Sequence, residues 1–205
     1  MKLYEILKGS EYSLDLFSQD AIVELENRII ERTDKKGKTY PAVSCLVRNK
    51  EIKLTPEEIV RQLYAAKLIN DYGYPKSRLA FEYPIYFGRE TKRADIVIRD
   101  NDDANVAYII VELKKPKAKD GREQLKSYTH ATGASMAVWT NGMTIAYYQG
   151  ALDKYKDHAI IQRIIKDSRN CDYIIAPNIG GYPANSFYYG RFGQKRQTDQ
   201  NRQVA

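Results

Sequence analysis

Apolar and polar positions alternate along this chain in two different rhythms, and the changes of rhythm mark its elements. Residues 1–17 carry no clear period. Within 19–32, Ile22, Leu25, Ile29 and Ile30 recur at helical spacing, and Asp34-Lys35-Lys36-Gly37-Lys38 closes that helix as a charged turn. Residues 40–54 read as one or two short strands, clearest over 42–47. Thr55-Pro56-Glu57-Glu58 is a helix start, with a threonine cap, proline at the first helical position and glutamate at the third position of a capping box. Ile59, Leu63 and Ala66 follow on one face, and Gly73 ends the helix.

Three strands come next, at 79–87, 92–99 and 106–115, the last stopped by Pro116. Asp120-Gly121-Arg122-Glu123 opens a further helix that runs to Gly133. Strands at 135–140 and 143–148 flank Asn141-Gly142, a strong two-residue hairpin signal. A short helix is predicted over 158–166, and a loop or disorder from about Arg191. No repeat occurs. The sum is an α/β fold, a mixed sheet of about five strands flanked by helices. It divides into a helical extension at 1–39, a core at 40–168 and a partly disordered extension at 169–205.

Two strands in this pattern carry charge where a sheet would want apolar residues. Alternation puts Ala94, Ile96 and Ile98 on one face of their strand, and Asp95 with Val97 on the other. A mid-strand carboxylate is costly unless paired or metal-bound. The plain alternative is an edge strand with Asp95 in water or paired to Arg93. The apolar run 106–111 leads directly into Glu112-Leu113-Lys114, which places Glu112 and Lys114 on one face. Glu-x-Lys on a strand is often just a solvated ion pair. If the two strands pair, however, two carboxylates and an ammonium converge. That set can hold a hard divalent cation through oxygen, with the Leu113 carbonyl as a third ligand. Lys114 would then orient or deprotonate an attacking water beside a phosphodiester, and offset charge in the transition state.

Composition narrows the field. The formal net charge of +7 suits a polyanionic partner, though many soluble proteins are basic. Lys92, Arg93, Lys115, Lys117 and Lys119 flank the proposed site and would meet phosphates, unless they merely solvate their loops. Cys45 and Cys171 form no framework, and His130 with His158 are too few for a zinc site. A mean hydropathy of -0.58 without a long apolar run excludes a membrane span. The first residues lack the apolar region of a signal peptide, so a reducing cytoplasm is expected. No Gly-x-x-x-x-Gly-Lys-Ser/Thr loop occurs, so the chain has no ATP site of that kind. Trp139 reads as a core residue, and the tail cations Arg191, Lys195, Arg196 and Arg202 as part of the disordered end.

Arg93-Ala94-Asp95-Ile96-Val97, then Val111-Glu112-Leu113-Lys114-Lys115-Pro116, then Gln124-x-x-x-Tyr128 resembles the PD-(D/E)xK nuclease superfamily. More narrowly, the chain is similar to the N-terminal nuclease domain of type I restriction endonuclease R subunits over roughly 40–150. The stretches around Pro56-Glu57-Glu58 and Asp71-Tyr72-Gly73-Tyr74 match that family's helix entering the core. Ala94 stands where the family usually has proline. The resemblance implies a restriction-endonuclease-like core and Mg²⁺-dependent cleavage of double-stranded DNA, with Mn²⁺ as a substitute. It makes Asp95, Glu112 and Lys114 the catalytic triad and Gln124 and Tyr128 supporting residues. It offers Glu58 as a further acidic residue near the metal, against its plain role in the helix cap. It also implies a separate motor domain and methyltransferase and specificity subunits as partners. Two other readings stand beside it: a non-cleaving DNA-binding or assembly module on the same fold, and a free-standing repair or recombination nuclease.

Overall fold

The computed structural model describes residues 2–114, 121–149 and 188–191. Helices α1 (Leu3–Leu7) and α2 (Gln19–Asn27) come first, the second capped by Ser18, whose Oγ accepts from Ala21 N at 3.3 Å. The helix predicted over 19–32 stops at Asn27. Ile29 and Ile30 instead begin strand β1 (Ile29–Thr33), which pairs antiparallel with β2 (Thr39–Ser44), Ile30 opposite Ala42. The charged stretch expected to end a helix is the hairpin turn between these strands. Asp34 Oδ1 accepts from Lys36 N at 2.8 Å and Lys38 N at 2.9 Å, and Gly37 takes a φ of 78°. Paired isoleucines are β-branched, so a strand partner within reach outweighs their helical spacing. Strand β3 (Glu51–Lys53) completes this three-stranded sheet.

Helix α3 (Pro56–Asn70) starts as the sequence predicts, with Thr55 Oγ1 accepting from Glu58 N at 3.2 Å. Strands β4 (Leu79–Phe87), β5 (Glu90–Arg99) and β6 (Ala107–Leu113) follow. Helix α4 (Gly121–Thr132) then leads to β7 (Met136–Thr140), β8 (Thr144–Gln149) and β9 (Tyr188–Arg191). They form a six-stranded sheet in the order β4-β5-β6-β7-β8-β9, antiparallel except where β6 meets β7. That parallel step needs a crossover, and α4 supplies it. The fold is therefore α/β, a mixed sheet flanked by helices. It has one strand more than expected, because β9 lies in a tail whose composition shows no period. The helix predicted over 158–166 lies outside the described residues.

Burial divides the core between the two faces of the sheet. Ile96, Ile98, Ile109, Val111 and Val138 pack with Ile59 and Leu63 of α3 and with Leu3, Leu7, Ile22 and Leu25 of the N-terminal helices. Val97, Ile110 and Ala137 point the other way and pack with Leu125 and Tyr128 of α4 and with Trp139. Every residue of β6 is buried, as a central strand covered on both sides should be.

The Asn141-Gly142 turn is longer than the two residues predicted, since β8 begins only at Thr144. Its position explains this. Asn141 O accepts from Ser13 N at 3.0 Å and Gly142 O from Leu16 N at 2.9 Å, so the turn is pinned to the N-terminal segment.

Candidate active site

Ile96 pairs with Val111, so one step along the antiparallel ladder Asp95 falls opposite Glu112. The two charged strands are thus neighbours, and the expected convergence of their carboxylates is present. Asp95 is held at both oxygens. Oδ2 accepts from Leu113 N at 2.7 Å, and Oδ1 lies 2.5 Å from Nη2 of Arg61 on α3.

Glu112 is 1% exposed. Its Oε2 receives Lys114 Nζ at 3.5 Å and Gln124 Nε2 at 3.4 Å, while Oε1 is buried without a hydrogen-bond partner. Burial, with Asp95 adding to it, pushes the Glu112 carboxyl up to about 8, and Lys114 offsets only part of this. A buried carboxylate oxygen with no partner is costly, and it is also free to ligate. Lys114 stands just past the end of β6, its own N–H donating to Thr140 O at 3.1 Å, which leaves its side chain partly in solvent.

Behind Glu112, α4 presents Gln124 and Tyr128 one turn apart. Gln124 Nε2 donates to Tyr128 Oη at 2.6 Å. Burial and the nearby Glu112 push the Tyr128 phenol up to about 12, so it stays protonated. Its ring lies 5.8 Å from that of Phe87. Asp95, Glu112, Lys114, Gln124 and Tyr128 therefore share one locality.

Glu58 sits elsewhere in the arrangement. Its carboxylate turns from the helix cap toward Arg48 Nη2 at 3.1 Å, Arg61 Nη1 at 2.5 Å and Gln62 Nε2 at 2.8 Å. It meets Asp95 only through Arg61. Among the described residues no group of three or more His, Cys, Asp or Glu side chains could hold a metal ion. The oxygen donors near one another are those of Asp95 and Glu112, with the Leu113 carbonyl between them in sequence. This all-oxygen set, with one buried oxygen unused, fits a hard divalent cation. Of the cations expected to meet phosphate, Lys92 and Arg93 are exposed on β5, Lys92 Nζ lying 5.3 Å from the centre of the Phe87 ring. Lys115, Lys117 and Lys119 lie outside the described residues.

Sequence reading missed Arg61, the most connected residue of the site. It is 4% exposed, and besides Glu58 and Asp95 it reaches Glu57 Oε1 at 2.7 Å and Glu82 Oε1 at 3.1 Å. Burial alone would weaken the guanidinium's hold on its proton, but Asp95 and Glu58 more than reverse that and keep it above its ordinary value. One signal could have found it. Ile59, Val60, Leu63, Tyr64, Ala65 and Leu68 spread apolar residues around most of the helix, on both sides of Arg61, which makes this arginine a candidate for burial beside carboxylates. Glu82, also missed, has a φ of 53°, in the left-handed region, in the middle of β4. Tyr12 was missed too. Its hydroxyl donates to Glu57 Oε2 at 3.4 Å, and burial and Glu57 raise its pKa.

The structure is thus that of an α/β domain in which two strand carboxylates, one on each of two neighbouring strands, lie close to a lysine just past the end of β6. Residues 56–164, more than half of the chain, match the family model for the type I restriction enzyme R protein N terminus, and the chain belongs to that family. The match begins at the first residue of α3 and takes in Arg61, Asp95, Glu112, Lys114, Gln124 and Tyr128. Neither a curated protein nor a solved structure matches the chain. Among the described residues no helix is long and apolar enough to cross a membrane.

Proposed function

We propose that this chain is the cutting part of a restriction enzyme, hydrolysing DNA phosphodiester bonds with Mg²⁺, or with Mn²⁺ in its place. The observation that carries the reading is the unpartnered, buried Oε1 of Glu112, beside Lys114 and across the ladder from Asp95. Asp95, Glu112 and the Leu113 carbonyl would hold the cation. Once bound, it would supply positive charge to the scissile phosphate. Lys114, at the rim and partly solvated, would orient the attacking water and meet charge that develops on the phosphate. Gln124 steadies the Glu112 carboxylate through Oε2 and leaves Oε1 free. Lys92 and Arg93 would meet the backbone of double-stranded DNA without reading its sequence. Methyltransferase and specificity subunits and a separate ATP-driven motor would be the partners, in the cytoplasm.

A second reading draws on a specific observation, the engagement of both Asp95 oxygens by Arg61 and the Leu113 amide. On that reading the chain is a DNA-binding or assembly module that does not cut. Nicking of supercoiled plasmid by the purified chain in Mg²⁺ tests the first reading. Asp95→Ala, Glu112→Ala and Lys114→Ala should each abolish nicking while circular dichroism stays unchanged. Undiminished nicking by Asp95→Ala would sink it. Calorimetry showing no Mn²⁺ uptake by the parent chain would favour the non-cutting module.

A further inference from the structure

The distribution of donors around Arg61 is uneven. Nη2 carries two hydrogens, yet three carboxylate oxygens compete for it: Asp95 Oδ1 at 2.5 Å, Glu57 Oε1 at 2.7 Å and Glu82 Oε1 at 3.1 Å. Nε carries one hydrogen and, though buried, has no acceptor. The guanidinium is thus oversubscribed on one side and idle on another. A small rotation would redistribute these bonds without leaving the buried charge unpaired, because Glu58, Glu57 and Glu82 remain within reach. Glu58 does not depend on Arg61 alone, since Arg48 Nη2 donates to both of its oxygens, at 3.1 and 3.2 Å.

Asp95 is the partner with most at stake. It lies at the site's centre, where a divalent cation and a guanidinium on the same carboxylate would repel each other strongly at low dielectric. We propose that Arg61 is a latch on the cation site, holding the Asp95 carboxylate while no metal is bound and withdrawing to Glu57, Glu58 and Glu82 when a cation takes Asp95. This rests on the reading of Asp95 and Glu112 as cation ligands. It adds that the site stores its own substitute charge, so that the Asp95 carboxylate need not stand uncompensated between turnovers. Arg61 acts through Asp95 and is a positioning residue rather than a catalytic one.

The latch makes cation binding a competition, and the competitor can be removed. Mn²⁺ affinity of the purified chain, measured by calorimetry, should rise about tenfold in Arg61→Gln, the scale of one charge-assisted hydrogen bond no longer broken on binding. Arg61→Lys keeps the charge but loses the fork that spans Glu58 and Asp95. A rise there as well assigns the effect to the contact with Asp95 rather than to net charge. A merely structural arginine would give the opposite, weaker binding in both variants, and that result or an unchanged affinity would overturn the latch. Because the neutral variant can fail to fold, the parent chain supplies a second arm. Nuclear magnetic resonance of the Arg61 guanidinium during Mg²⁺ titration should show its signals move as the site fills, and signals that stay fixed while metal binds would also overturn the latch. A parent chain that takes up no Mn²⁺ or Mg²⁺ would remove the metal reading itself, and the latch with it. Metal uptake with tightness indifferent to Arg61 would remove the latch alone.

Discussion

Glu82 falls opposite Asp95 on the β4–β5 ladder, yet Arg61 joins them rather than the backbone. Phe81 pairs with Ile96 and Tyr83 with Ala94, and the ladder is interrupted between them at Glu82. The interruption coincides with a φ of 53°, which costs a side-chain-bearing residue conformational energy and turns its carboxylate toward Arg61. Local strain and the ion cluster are one feature.

Strain and charge at Glu82 can be separated. Glu82→Ala and Glu82→Gly both delete the ion pair, but only alanine keeps the steric cost of positive φ. The glycine variant should be the more stable by about 1 kcal/mol. Urea unfolding midpoints measure the difference, and an alanine variant at least as stable as glycine would show that the backbone there is not strained.

Gly142 has a tighter constraint. A Cβ built on it would lie 1.9 Å from Ser13 O, and its φ is 86°. Gly142→Ala should cost about 2–3 kcal/mol, from forced movement of the N-terminal segment together with the φ penalty. Gly133 also has positive φ, at 69°, but with open space around it, so Gly133→Ala should cost only about 1 kcal/mol. Equal thermal shifts in the two variants would contradict the close approach.

The Glu112 carboxyl makes stability depend on pH in an unusual direction. Its pKa rises from 4.5 to about 8 on folding, so between those values the folded state holds a proton that the unfolded chain releases. The contribution is therefore fully present below 4.5 and is lost as pH rises through about 8. Metal-free protein should lose stability over that window, and Glu112→Gln should flatten the loss. An unchanged slope in Glu112→Gln would assign the proton elsewhere. On the proposed reading of Glu112 as a cation ligand, metal uptake expels this proton, so Mn²⁺ affinity should increase toward pH 8, with proton release visible as a buffer-dependent heat.

Tyr128→Phe keeps the ring contact with Phe87 and deletes only the hydroxyl that accepts from Gln124. It should cost about 1 kcal/mol in stability. Nicking should fall less than in Lys114→Ala, because Gln124 can still reach Glu112. A Tyr128→Phe protein as inactive as Lys114→Ala would give the hydroxyl a direct part in the chemistry.

What the sequence made legible was whatever depends on near neighbours. Thr55, Pro56 and the run after them announce α3, because a cap and its first turn interact within a few residues. The strands of Asp95 and Glu112 show their facing by alternation, and a short turn between them makes antiparallel pairing the natural outcome. Ile29 and Ile30 were misplaced because β-branched residues at helical spacing satisfy two rules, and only the β2 strand beyond the turn decides between them. Arg61 was passed over for a different reason. Its four carboxylate partners come from its own helix and two separate strands, and no local pattern encodes that meeting. Oxygens engaged by Arg61 and the Leu113 amide likewise follow from tertiary packing alone.

The two hydrogen bonds from Ser13 and Leu16 to the Asn141-Gly142 turn have a consequence for the order of events during synthesis. The N-terminal segment leaves the ribosome well before the turn that receives it, with four strands of the main sheet made in between. The flank of the N-terminal segment that meets this turn, with the N–H groups of Ser13 and Leu16, therefore stays uncovered until β7 has been laid beside β6. Closure of this long loop would be a late step in folding, and the surface it leaves open until then is where a stalled or truncated chain would aggregate.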